Sequence, residues 1–172
     1  MTTHRDERDT EGAAGINRWL ALVLFIAGAF AAAGVGVLAQ GSNVQDFYAQ
    51  QLDLPGWAPP SWVFGPVWTV LYAMIGVAGW RVWDRVGWQR VMTVWVAQLA
   101  VNAAWTPAFF GLRNATLAAV VIVVLLFLIA WMIRLMAPID RVAVALVVPY
   151  AAWVAFATAL TLAVWWLNPT LR

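Results

Sequence analysis

Five long runs of uncharged, mostly apolar residues constrain this chain more than any other feature of its sequence. Each run has at least 20 residues, and the runs occupy positions 19–45, 54–80, 91–112, 114–133 and 142–171. A hydrocarbon core about 30 Å thick requires roughly 20 helical residues, so each run can cross a membrane once. No run has the alternating pattern of a membrane β-strand. We therefore predict an all-α integral membrane protein, a five-transmembrane-helix bundle with helices near 17–39, 61–83, 88–110, 114–136 and 142–167.

Composition excludes the other broad classes of protein. Only 10% of the residues are charged and 64% are hydrophobic, whereas a soluble domain carries about 25% charged residues. Disorder is excluded because apolar residues are abundant. The pI of about 9.7 comes from scattered arginines, which form no basic patch for nucleic acid.

The arginines instead indicate how the chain is oriented in the membrane. Only two of the ten, Arg113 and Arg172, lie on the side opposite the N-terminus. The positive-inside rule then places the N-terminus in the cytoplasm, with residues 1–16 as a polar cytoplasmic tail and 17–172 as the membrane domain. The first apolar run is longer than the hydrophobic region of a signal peptide, so we expect it to be retained. The eight arginines on the cytoplasmic side are Arg5, Arg8, Arg18, Arg81, Arg85, Arg90, Arg134 and Arg141.

Few residues are available for catalysis or for metal binding. The chain has no Cys, and its one His is His4 in the polar tail. Charged residues lie only in loops or at the ends of the predicted helices, which disfavours a proton pathway. Ser42 and Ser61 have no base to activate them. We predict no catalytic residue and no metal site.

The outer loop at 40–60 is the longest connection between predicted helices. It contains Tyr48, Trp57 and two acids, Asp46 and Asp53. A long ordered loop over a bundle is a candidate lid. A plain surface loop with an interfacial tryptophan is the alternative.

Aromatic and neutral polar residues recur at helical spacing in three of the spans. At 1.5 Å per residue, five of them lie at neighbouring depths in the outer half of the membrane, namely Trp68, Asn102, Trp105, Trp153 and Ala157. One interpretation is ordinary packing, with Gln98 and Asn102 hydrogen-bonded to neighbouring helices. The other is a cavity for a flat, mostly apolar ligand.

Three blocks of sequence in this region resemble the translocator protein (TspO) family. They are WAPPSWVFGPVWTVLY at 57–72, AQLAVNAAW at 97–105 followed by FFG at 109–111 and Arg113, and PYAAW at 149–153 followed by FAT at 156–158. The resemblance implies a membrane protein of five helices, usually a homodimer, that binds porphyrins such as protoporphyrin IX. Animal members also bind cholesterol and synthetic ligands. The sterol-associated aromatic–basic pattern is lost here at Leu162 and Trp166.

The resemblance also implies roles for individual residues. Trp57, Trp68, Asn102, Trp105, Trp153 and Ala157 match positions at the family's ligand cavity, and Tyr48 lies near a loop aromatic. Some bacterial members are linked to light-dependent porphyrin breakdown that involves tryptophans at the positions of Trp68 and Trp153.

We therefore expect a membrane protein that binds a tetrapyrrole, without a required cofactor, in order to sense, sequester or transport it. Arg113 is expected to attract a propionate, and free porphyrin is expected rather than haem held through its iron. The alternatives are a light- and oxygen-dependent porphyrin-degrading enzyme and a structural membrane protein without a small ligand. Composition suggests a bacterial cytoplasmic membrane. The expected ligand-binding residues are Tyr48, Trp57, Trp68, Tyr72, Asn102, Trp105, Phe109, Arg113, Trp153 and Ala157.

Overall fold

Helices dominate the structure, a computed structural model that describes residues 17–39 and 47–172. The five long helices are α1 (Arg18–Ala39), α2 (Phe64–Val86), α3 (Arg90–Thr106), α4 (Ala115–Met136) and α5 (Arg141–Leu167). The predicted number of helices is confirmed, and the described residues contain no strand. The predicted tail at 1–16 and loop residues 40–46 lie outside the described part of the chain.

Short helical turns connect or prolong the long helices. A π-helical turn, Phe47–Gln51, lies in the loop between α1 and α2, and a 3-10 turn, Ser61–Val63, leads into α2. Another π-helical turn, Pro107–Gly111, follows α3 directly. α3 itself has 17 residues, whereas α1, α2, α4 and α5 are long and apolar enough to cross a membrane. The π-helical turn therefore lengthens the shortest helix towards the length of a span.

Local sequence explains where several helices begin and end. The side chain of Asn114 accepts a hydrogen bond from the backbone N–H of Leu117 at the start of α4. Asp140 caps α5 in the same way, accepting from Val142 and Ala143, as expected for N-cap residues. α2 ends at Gly87, whose φ of 63° favours glycine.

The helices form a closed ring in the order α1, α2, α5, α4, α3. α1 packs on α2 and α3, α4 packs on α3 and α5, and α5 packs on α2. Glycine permits the closest of these approaches. A Cβ atom at Gly76 would lie 2.6 Å from the Ile26 Cα, so α2 and α1 touch almost backbone to backbone there.

Ion pairs tie the helices together at one end of the ring. The carboxylate of Asp140 lies 2.8 Å from Arg81 Nε and 3.0 Å from an Arg85 nitrogen, and Arg18 lies 3.0 Å from Asp84. We call this end, where six arginines lie, the arginine-rich end, and the opposite end, with residues 47–63, the loop end. The six arginines are Arg18, Arg81, Arg85, Arg90, Arg134 and Arg141.

Candidate ligand cavity

A cavity of about 500 Å³ lies inside the ring, in the half nearer the loop end. Its volume falls within the roughly 300–1,000 Å³ typical of small-molecule sites. All five helices and the loop contribute to its lining. The structure brings together eight of the ten residues that the sequence nominated, namely Tyr48, Trp68, Tyr72, Asn102, Trp105, Phe109, Trp153 and Ala157.

The other two nominated residues do not line this cavity. Trp57 is half-exposed in the loop, with its ring centre 5.7 Å from that of Phe156. The guanidinium of Arg113 lies over the Phe47 ring at 4.8 Å and donates to the Gln51 side chain at 3.4 Å. Arg113 therefore contacts the loop. Its own backbone has a positive φ of 50°.

The cavity walls are aromatic and fixed by ring-to-ring contacts. Trp105 stacks on Phe109 with ring centres 5.3 Å apart and planes 10° apart. Trp68 stacks on Tyr72 at 5.3 Å and 27°. Trp153, on the facing helix, meets the edge of Phe64 at 5.9 Å. Such offset and edge-on pairs hold each ring in place and leave flat apolar surfaces for a planar ligand.

A buried chain of hydrogen bonds runs along the floor of the cavity. The Tyr72 hydroxyl donates to Asn102 Oδ1, and Asn102 Nδ2 donates to the Tyr150 hydroxyl at 3.1 Å. The Tyr150 hydroxyl donates in turn to Gln98 Oε1 at 2.8 Å. These bonds join α2, α3 and α5, as the packing interpretation predicts for Gln98 and Asn102. Asn102 also lines the cavity, so the two interpretations of this residue are compatible.

Two tryptophan donors on the cavity wall have no hydrogen-bond acceptor among the described residues. They are the buried Nε1–H groups of Trp105 and Trp153. An unpaired buried donor costs about 1–3 kcal/mol. Both nitrogens are buried, so neither is exposed to the cavity in this arrangement of the rings.

The described part of the loop, residues 47–63, is held by buried apolar side chains, by a hydrogen bond within the loop and by hydrogen bonds to Asn168. Phe47, Tyr48 and Leu52 are buried. The Tyr48 hydroxyl donates to the Pro59 carbonyl at 3.0 Å, and burial raises the pKa of this phenol. Asn168, just after α5, exchanges two hydrogen bonds of 3.0 Å with the backbone of Asp53. The loop therefore packs over the cavity, into which Tyr48 projects.

Sequence reasoning missed several residues that line or support the site. α1 contributes Phe30 and Ala33, and α4 contributes Ile122 and Leu125. These residues are apolar in helices that are apolar on all sides, so no periodicity distinguishes a lining position from a lipid-facing one. Asn168 is not among the nominated residues, because its partner is 115 residues away in the chain.

The chemistry that this cavity can supply is binding rather than acid–base catalysis. None of its lining residues carries a charge. The described residues contain no cluster of His, Cys, Asp and Glu that could hold a metal ion. Hydroxyl, amide and indole groups remain, which can orient a ligand by hydrogen bonds.

Comparison with known proteins agrees with the resemblance seen in the three blocks of sequence. Residues 21–167 match the model of the TspO/MBR family. The tryptophan-rich sensory protein of Cereibacter sphaeroides is 39% identical over 143 residues, which cover 83% of this chain and 87% of the relative. The tryptophan-rich protein TspO of Archaeoglobus fulgidus is 34% identical over 87% of this chain and 97% of its own. The human translocator protein is 37% identical over 66% of this chain and 70% of its own.

Proposed function

Because this chain belongs to the TspO/MBR family of membrane proteins, we propose that it binds a tetrapyrrole of the protoporphyrin IX type in the cavity at its loop end. Binding would serve sensing, sequestration or transport of the porphyrin. The name of the Cereibacter sphaeroides relative, a sensory protein, supports the first of these roles.

The observation that carries the proposal is the set of flat aromatic walls around the cavity. A porphyrin is a large planar ring with polar substituents at its edge. The faces of Trp68, Trp105 and Trp153 offer stacking surfaces for such a ring. Ser61, Thr69 and Asn102 also line the cavity and can orient the polar substituents at the edge.

Free porphyrin fits this site better than haem bound through its iron. The only His of the chain is His4, and there is no Cys. Haem iron can also be held by Tyr, but the hydroxyls of Tyr48 and Tyr72 in this cavity already donate to Pro59 and Asn102. A ferric Soret band typical of axial ligation would contradict this part of the proposal.

We further propose a homodimer in a bacterial cytoplasmic membrane, with the N-terminus in the cytoplasm. Val96, Ala100 and Ala104 lie on an exposed face of α3. Small residues four apart permit close helix contact in membranes, and this face is therefore the candidate for contact with a second copy.

Protoporphyrin IX titrated into nanodisc-embedded protein tests the main proposal, with the Soret band as readout and empty discs as reference. We expect saturable binding in the low-micromolar range. Trp153→Phe shrinks one aromatic wall of the cavity, so affinity should fall about tenfold. Trp166→Phe is the matched control, because Trp166 lies on the same helix but is 69% exposed. Binding no better than in empty discs would favour a structural role without a small ligand.

Light- and oxygen-dependent breakdown of the bound porphyrin is a second candidate function. The observation in its favour is that two oxidisable indoles, Trp68 and Trp153, line the same cavity. Illuminated, aerated samples should then form products that are absent in the dark or without oxygen. Products that form equally in Trp153→Phe would point to the porphyrin's own photochemistry.

A further inference from the structure

A second, smaller pocket lies on the outer surface of α4, at the arginine-rich end. It encloses about 150 Å³ and is lined by Phe127, Ala130, Trp131 and Arg134. These positions follow the i, i+3, i+4, i+7 spacing, so they share one face of the helix. The small Ala130 leaves a depression between the aromatic rings and the arginine. The space corresponds to about five water molecules, which is enough for a phosphodiester group but not for another helix.

A second arginine, on the neighbouring helix, packs against Trp131 of this pocket. The guanidinium of Arg90, the first residue of α3, lies 5.0 Å from the centre of the Trp131 ring. Arg90 and Arg134 are both exposed, and within residues 17–39 and 47–172 neither forms an ion pair, unlike Arg18, Arg81 and Arg85. α3 also begins without a side-chain cap, which leaves backbone N–H groups free at the same end.

The pocket continues into an apolar surface that faces lipid. Phe127 of the pocket and the exposed Val124, Val123 and Val120 form a continuous strip that runs along α4 past the middle of the helix. An acyl chain can follow such a surface, whereas a soluble anion cannot use it. The guanidinium groups lie at the end of the helix, at the depth of lipid headgroups.

We propose that this pocket binds the phosphate of an anionic phospholipid, such as phosphatidylglycerol, between Arg90 and Arg134. The Trp131 ring holds the Arg90 guanidinium beside the pocket, and the acyl chains lie along the valines of α4. Basic pockets between transmembrane helices recognise anionic headgroups in this way. The proposal rests on different residues from the porphyrin cavity and does not depend on its ligand.

The test measures which lipid the protein retains from a defined mixture. Full-length protein is reconstituted in equimolar phosphatidylglycerol and phosphatidylcholine, and bound lipids are counted by native mass spectrometry. We expect wild type to retain phosphatidylglycerol preferentially. In the double variant Arg90→Gln/Arg134→Gln, the ratio of bound phosphatidylglycerol to bound phosphatidylcholine should fall about tenfold, because two positive charges near the phosphate are removed. Arg141→Gln is the matched control, an exposed arginine at the same end that does not line the pocket.

Four results would overturn the proposal. The double variant could keep the wild-type preference, or Arg141→Gln could lose it equally, which would indicate general attraction by charge. Excess inorganic phosphate could displace the lipid, which would indicate a site for a free anion. The double variant could become monomeric with unchanged lipid retention, which would make the pocket a subunit contact. Thermal unfolding in phosphatidylcholine alone checks that the double variant is folded.

Discussion

Asp140 shows how a single buried carboxylate can organise one end of the bundle. Its side chain is 1% exposed, caps α5 and accepts from Arg81 on α2. Burial by itself would raise the pKa of this carboxyl. The hydrogen bonds from Arg81, Ala143 and Val142 outweigh burial, so its pKa lies below the ordinary value.

This lowered pKa predicts how stability depends on pH. A carboxyl with a lowered pKa in the folded state stabilises the protein fully above its unfolded pKa, about 3.9. That contribution is lost as the pH falls through the folded pKa. We expect Asp140→Asn to lower the free energy of unfolding by about 2 kcal/mol at pH 7. The difference from wild type should be constant from pH 7 to pH 5 and should shrink below about pH 4.

Unfolding in detergent at a series of pH values measures both effects. Asp84→Asn is the control, since the Arg18–Asp84 pair is exposed and is expected to contribute less than about 1 kcal/mol. An equal loss in Asp84→Asn, or a difference for Asp140→Asn that does not shrink between pH 5 and pH 3, would contradict the assignment.

Asn102 illustrates what sequence can and cannot predict about one residue of the site. Its depth and its spacing from Trp105 were enough to place it beside the other nominated residues. Its partners were not predictable, because Tyr72 and Tyr150 lie 30 and 48 residues away in the chain. The unpaired indole N–H groups were equally hidden, since spacing along a helix does not reveal which donors lack acceptors.

At the scale of elements, the number of helices was predictable because membrane thickness fixes the length of each apolar run. The order of the helices around the ring was not, since it depends on which surfaces fit together. Gly76 is an example, as nothing in the sequence around it identifies Ile26 on α1 as its neighbour. The contact of α1 with α2 depends on this glycine, because added atoms would meet the Ile26 backbone.

Substitution of glycines tests this contact between α1 and α2. Gly76→Ala should lower the free energy of unfolding by about 1–3 kcal/mol, because the new Cβ forces the helices apart. Gly34→Ala is the matched control on α1, where a Cβ meets nothing within 4 Å. Gly34→Ala should be neutral or should stabilise the protein by about 0.5–1 kcal/mol, the range expected when a glycine in the middle of a helix is replaced by alanine. Equal destabilisation by both, measured by thermal unfolding in nanodiscs, would show that the close approach is not critical.

The two ends of the whole molecule differ in charge and in proposed role. Six arginines and two acids of the described chain, Asp84 and Asp140, lie at one end. The other end has Arg113, Arg172 and Asp53, together with the aromatic cavity. Our proposals therefore assign anionic lipid to one leaflet and the porphyrin to the other half of the membrane. The positive-inside rule, applied to the arginines of the whole chain, predicts that the arginine-rich end faces the cytoplasm.

Cysteine labelling tests that orientation cleanly, because the natural chain contains no Cys. Gln89→Cys marks the arginine-rich end and Thr170→Cys marks the loop end, both at exposed positions. In intact spheroplasts a membrane-impermeant maleimide should label Thr170→Cys at once and Gln89→Cys only after permeabilisation. Wild type gives the background. The reverse pattern would place the N-terminus outside the cell and the loop end in the cytoplasm. Porphyrin would then have to reach the cavity from inside the cell.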